Sequence, residues 1–174
     1  MPILTRPLVL IGMMGCGKSA VGKRLAKELG VGFSDSDAVI EAQENTTISD
    51  IFSSQGEAHF RQLEHDTIVK LLQKGPHIIA VGGGAFMQET IRNAIANYGK
   101  SVWIDAPLDI LLERVSRKNT RPLLENTDKR ATLQKLMQER CPVYAQADYR
   151  VQTTSGPHKR VIDNIIELLE EGKT

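Results

Sequence analysis

Cysteine is scarce in this sequence: Cys16 and Cys141 are the two present. They suggest no disulfide framework, and their spacing is not that of a metal site. Histidine gives no metal signature either, because His59 and His65 lie six apart on a helical stretch, not four. No charge of one sign dominates. A formal net charge of +1 argues against a general polyanion binder, so a nucleic-acid partner is not expected. No apolar run approaches the roughly 18 residues that a membrane span needs. The opening residues do not read as a secretory signal, and repeats and low-complexity segments are missing. These absences leave the expectation of a cytoplasmic protein of one α/β domain, whose 174 residues can bury a real core.

What is present centres on Gly12-Met13-Met14-Gly15-Cys16-Gly17-Lys18-Ser19, the G-x-x-x-x-G-K-S pattern of a phosphate-binding loop. The context supports it. Leu8-Val9-Leu10-Ile11 is short, apolar and unbroken, as a fully buried parallel strand should be. After the loop, Ala20, Val21, Leu25, Ala26 and Leu29 recur at helical spacing. Glycines at 12, 15 and 17 let the backbone turn tightly, so that successive amides and the positive end of the helix face one point. Gly12 through Ala20 therefore form the expected nucleotide site, Gly12, Gly15, Cys16, Gly17, Lys18, Ser19 and Ala20 included. Lys18 would reach the β- and γ-phosphates of ATP, and the Ser19 hydroxyl would ligate Mg²⁺.

The rest of the chain alternates. Helical patterns are expected over about 38–44, 48–52, 57–72, 88–97, 108–115, 129–140 and 157–170, and short strands near 31–34, 78–81, 101–105 and 149–152. Such alternation implies a parallel sheet with helices on both faces, and ligands at the carboxyl ends of its strands. Gly12, Asp35, Gly82 and Asp105 fall there.

Several residues are candidates for chemistry. Asp35 and Asp37 follow a strand end; if the segment stays extended, their side chains point opposite ways and hold separate jobs, one at a magnesium shell and one at an acceptor hydroxyl. An Asx turn capping the next helix is the plainer alternative. Arg61 and Glu64 can pair on one helix face, either as a solvated surface pair or, beside Phe60, as a half-buried guanidinium held for a carboxylate. Gly82-Gly83-Gly84 costs backbone entropy, which is easier to understand if a ligand touches the main chain there. The stretch 116–128, polar and basic, reads as a solvated face or as a lid bringing an arginine onto the phosphates. Cys16 is either activated by its loop or turned inward and inert.

Taken together these residues resemble the shikimate kinase family. The resemblance runs through the loop, Phe33-x-Asp35-x-Asp37, Gly56-Glu57-x-x-Phe60-Arg61-x-x-Glu64, the triple glycine, Arg121-Pro122-Leu123-Leu124 and Arg140-x-x-x-Tyr144. It implies MgATP-dependent phosphorylation of the 3-hydroxyl of shikimate and a five-stranded parallel sheet in the order 2-3-1-4-5; a monomer is the separate expectation. The resemblance also implies roles. Asp37 would contact shikimate hydroxyls and act as base, and Asp35 would serve the magnesium shell with Ser19. Arg61 and Arg140 would grip the shikimate carboxylate, and Gly82, Gly83 and Gly84 would border the substrate. Arg121 would be the lid arginine on the phosphates, and Arg114 would stack near the adenine. Two departures from the family pattern stand out: Val81 where a threonine is frequent, and no arginine within Thr153-Thr154-Ser155-Gly156.

Overall fold

The computed structural model describes residues 2–117 and 128–172. Leu8–Ile11 forms strand β1, with every residue at most 1% exposed, because neighbouring strands and helices close over both of its faces. Around it lie β2 (Gly32–Asp35), β3 (His77–Ala80), β4 (Lys100–Asp105) and β5 (Tyr149–Gln152). All pairings are parallel and the order is β2-β3-β1-β4-β5. The strand order changes direction beside β1, so its carboxyl end opens into the crevice where such sheets bind ligands.

Helices α1 (Lys18–Leu29), α2 (Ser36–Glu44), α3 (Ile48–Gln55), α4 (Glu57–Leu72) and α5 (Glu89–Tyr98) occupy the first part of the chain. Helices α6 (Leu108–Ser116), α7 (Lys129–Tyr144) and α8 (Lys159–Glu171) complete it. Helix α1 packs on β3 and against α8, and α4 packs against α5. The main core joins the sheet to these helices, and Ile40, Ile51 and Phe60 form a second cluster that ties α2, α3 and α4 together beside β2. Thr47 caps α3 by accepting a hydrogen bond from the Asp50 amide at 3.1 Å, as the capping pattern implied. No helix among the described residues is long and apolar enough to cross a membrane.

Two of the boundaries that depart from expectation bear on the site. Helix α2 starts at Ser36, directly after β2, because the Asp35 carboxylate accepts from the Asp37 and Ala38 amides. The segment is therefore not extended through Asp37. Helix α7 runs past Pro142 to Tyr144 where an end near Arg140 is expected. Proline removes one helical hydrogen bond, but burial of Tyr144 against Trp103, with ring centroids 5.9 Å apart, holds the last turn in place.

Candidate active site

The loop between β1 and α1 has the shape its glycines permit. Gly12, Gly15 and Gly17 all have positive φ (146°, 82° and 100°), which side chains rarely adopt. Lys18 folds back over the loop, donating to the carbonyls of Gly12 at 2.8 Å and Met13 at 3.0 Å. These are weak partners for a cation and can be exchanged for phosphate oxygens. Ala20 lies exposed on the first turn of α1. Cys16 points inward with no exposure, so its side chain takes the inward-turned arrangement of the second reading and its backbone is the part that faces the loop.

Asp35 caps α2, the plainer of its alternatives, and at the same time meets Ser19. Its Oδ1 caps α2, and its Oδ2 accepts from the Ser19 hydroxyl at 2.6 Å. The capping role fixes the carboxylate, and the fixed carboxylate in turn fixes Ser19 at the mouth of the loop. A hydroxyl beside a carboxylate is a hard oxygen donor pair suited to Mg²⁺, which takes one or two protein ligands and completes its shell with water and phosphate oxygens. Among the described residues no group of three or more His, Cys, Asp or Glu side chains is placed to hold a metal ion.

Asp37, on the first turn of α2, is pushed up to about 6, chiefly by burial and next by the negative charge of Asp35, while Lys18 and Arg61 pull it down. Its Oδ1 is buried with no hydrogen-bond partner among the described residues. An unpaired carboxylate oxygen of this kind is costly unless a ligand hydroxyl completes it.

The triple glycine after β3 explains how the charged groups converge. None of the three has positive φ, so conformation does not demand glycine there. Space does. A Cβ on Gly82 would lie 3.1 Å from Glu64 Oε1 and 3.2 Å from Asp37 Oδ1. One on Gly83 would lie 2.8 Å from Arg140 Nη1, and one on Gly84 would lie 2.7 Å from Arg61 Nη2. The main chain thus yields room to one acid pair and two guanidinium groups in succession.

Arg61 is the half-buried guanidinium of the second reading, not the surface pair of the first. It donates to Glu64 at 2.7 Å, with side-chain exposures of 27% and 1%, and it also lies over the Phe60 ring. Gln88 donates to the same Glu64 carboxylate at 2.8 Å. Burial pushes Glu64 up and Arg61 opposes this, so the pair is tightly tied. Arg140, on α7, has no carboxylate partner among the described residues. One helical turn on, the hydroxyl of Tyr144 donates to the Gly83 carbonyl. The sequence reading missed Gln88 and the part played by Tyr144; the only local sign for the latter is its place four residues after Arg140 on one helix face.

Arg114, on α6, donates to the carbonyls of Gly15 and Cys16 at 3.3 and 3.1 Å and of Thr154 at 3.0 Å. It joins the phosphate loop to the segment after β5. Asp105, by contrast, is paired with Arg150 at 2.6 Å and supports the sheet end. Arg121, with Lys118 and nearly all of the 116–128 stretch, lies outside the described residues.

A family model described as "Shikimate kinase" matches residues 14–170. A shikimate kinase of Brucella canis is 44% identical over 165 residues, which covers 95% of this chain and 82% of that protein. One from Rhodopseudomonas palustris is 44% identical over 166 residues with the same coverage. Among solved structures, a shikimate kinase from Acinetobacter baumannii in complex with shikimate superposes with a TM-score of 0.93 at 34% identity, covering 97% of this chain and 95% of that one. A gluconokinase from Sinorhizobium meliloti, 16% identical with a TM-score of 0.59, shares the fold alone and covers 97% of this chain and 94% of its own.

Proposed function

This chain belongs to the shikimate kinase family, and from that premise we propose how its residues divide an ATP-dependent phosphoryl transfer to shikimate. The observation that carries the assignment is the row of glycines. Successive residues give way to an acid fit to meet a hydroxyl, at Gly82, and to two guanidiniums fit to grip a carboxylate, at Gly83 and Gly84. A small anionic polyol presents that combination of groups.

Asp37 accepts a hydrogen bond from the 3-hydroxyl of shikimate and takes its proton as that oxygen attacks the γ-phosphate. Burial keeps it basic enough to do so near neutrality. Arg61, braced by Glu64 and Gln88, and Arg140 hold the carboxylate and so set which hydroxyl meets the phosphate. Lys18 leaves its loop carbonyls for the β- and γ-phosphates, and the amides of residues 15–20 bind the rest. Ser19 and Asp35 would hold Mg²⁺, which when bound neutralises phosphate charge. The backbone of Gly82, Gly83 and Gly84 borders the substrate, and Arg114 borders the nucleoside. Phosphoryl transfer of this kind needs positioning and charge neutralisation more than covalent help.

The direct test is release of ADP from ATP in the presence of shikimate, gluconate or nucleoside monophosphates, assayed in parallel. Shikimate alone should stimulate it; stimulation by gluconate and not by shikimate would overturn the assignment.

Tyr144 acts through its neighbours. Its phenol is buried, holds the Gly83 carbonyl and lies beside Arg140. Tyr144→Phe keeps the ring and removes one donor. It should cost about 1 kcal/mol of stability and weaken shikimate several-fold, with ADP affinity unchanged. Calorimetric titration with each ligand separates this from a general loss of fold.

A further inference from the structure

The nucleoside end of the nucleotide site carries a residue that no motif announces. Sheet order places the two substrates on opposite sides of the phosphate loop. Asp37, Arg61 and Gly82 to Gly84 lie with β2 and β3 on one side of β1, whereas α6 and the connection from β5 to α8 lie with β4 and β5 on the other. A triphosphate with its γ-phosphate toward the acceptor therefore directs its nucleoside toward Arg114 and residues 153–158.

His158 stands at that end. Its Cε1 lies 3.1 Å and its Nδ1 3.6 Å from where a Cβ on Gly17 would sit, and Arg114 Nη1 lies 3.6 Å from the same point. The imidazole thus packs closely over the turn that opens α1, beside the Cα of Gly17. Its Nδ1 is hidden from solvent and has no hydrogen-bond partner among the described residues. An orphaned buried N–H is rarer than an under-used acceptor, and a bare lone pair also suits the nearby guanidinium. The proton of the neutral ring therefore sits on Nε2, and the residue as a whole is only half-buried. Burial, with the positive charges of Arg114 on α6 and Arg24 on α1, holds the imidazole below its ordinary value, so it stays neutral at pH 7.

We infer that His158 contacts the nucleoside of bound ATP, its Nε2–H donating to a neutral acceptor on the sugar or base beside Arg114. A neutral donor adds nothing to the charge balance of a polyphosphate, which Lys18 and the loop amides already serve. It does match the uncharged oxygen and nitrogen acceptors of a nucleoside, where one well-placed polar group sets orientation. The inference rests on the nucleotide site proposed above and adds a residue to it.

The experiment is calorimetric titration of the wild type, His158→Ala and His158→Gln with ADP, with inorganic pyrophosphate and with shikimate. His158→Ala should weaken ADP by about five- to tenfold, the usual effect of one lost hydrogen bond. Pyrophosphate and shikimate should bind as in the wild type. His158→Gln, whose amide donor reaches roughly as far as Nε2, should recover most of the loss. In ¹H–¹⁵N imidazole spectra, ADP should shift the His158 Nε2 resonance and pyrophosphate should not. The inference fails if His158→Ala binds ADP normally, if ADP and pyrophosphate weaken equally, or if the glutamine variant is no better than alanine. The last two outcomes would mark a residue that only packs the loop. Failure of the wild type to bind ADP would overturn the nucleotide site itself.

Discussion

Asp37→Asn should lower turnover by roughly two to four decades, the usual range for losing a general base, while ATP affinity stays near that of the wild type. The same substitution should make the protein more stable. Folding raises the Asp37 pKa from an ordinary 3.8 to about 6, so the fold favours the protonated acid. That contribution is fully present below pH 4 and is lost as pH rises through about 6. Keeping the carboxylate ionised at pH 7 costs on the order of 3 kcal/mol, since one pKa step is about 1.4 kcal/mol. Asparagine recovers part of this, and for a domain of this size each kcal/mol moves the melting temperature by roughly 2–4 °C. Wild-type turnover should also climb through about pH 6 and then level off, and the variant should lack that step. Near-normal turnover in Asp37→Asn, or a melting temperature below that of the wild type at pH 7, would remove Asp37 from the proposed role.

Arg61→Ala and Arg140→Ala should each weaken shikimate by roughly 30- to 150-fold, as expected when a carboxylate loses a charge-assisted hydrogen bond worth about 2–3 kcal/mol. The two should differ in one respect. Arg140 has no acidic partner among the described residues, so its removal should leave the fold nearly as stable as before. Arg61 leaves behind Glu64, which is 1% exposed and then has only Gln88 for company. An unpaired buried carboxylate takes up a proton or destabilises the fold, so Arg61→Ala should lose stability as pH rises above the ordinary carboxylate range. Shikimate titrations and melting curves at two pH values measure both effects. Unchanged shikimate affinity in both variants would rule out the carboxylate clamp.

The residues of this site differ in how openly the sequence displays them. Gly12 to Ser19 could be read directly, because a phosphate loop is local: a strand, a tight turn and a helix start, all encoded in consecutive residues. The parallel sheet could be read for the same reason, from apolar runs alternating with helical periods. Asp35 and Asp37 could be found but not assigned, since the structure shows Asp35 both capping α2 and accepting from Ser19, sixteen positions away, a contact no local pattern announces. The reading of the triple glycine was incomplete. Its main-chain economy suggested a nearby ligand, but the atoms that fill the space are side chains from α2, α4 and α7. Gln88 and Tyr144 gave no signal of their role, because one acts on a carboxylate and the other on a backbone carbonyl far from it in the chain.

The sequence by itself determined the class of fold, the phosphate loop and the inventory of acids and guanidiniums. Those follow from local spacing and backbone preference. Only the tertiary structure decided which of these groups face one another, that Cys16 turns inward, and that Glu64 is buried beside Asp37. These outcomes are set by packing between segments that the sheet order brings together, and a pattern of neighbouring residues carries no record of that contact.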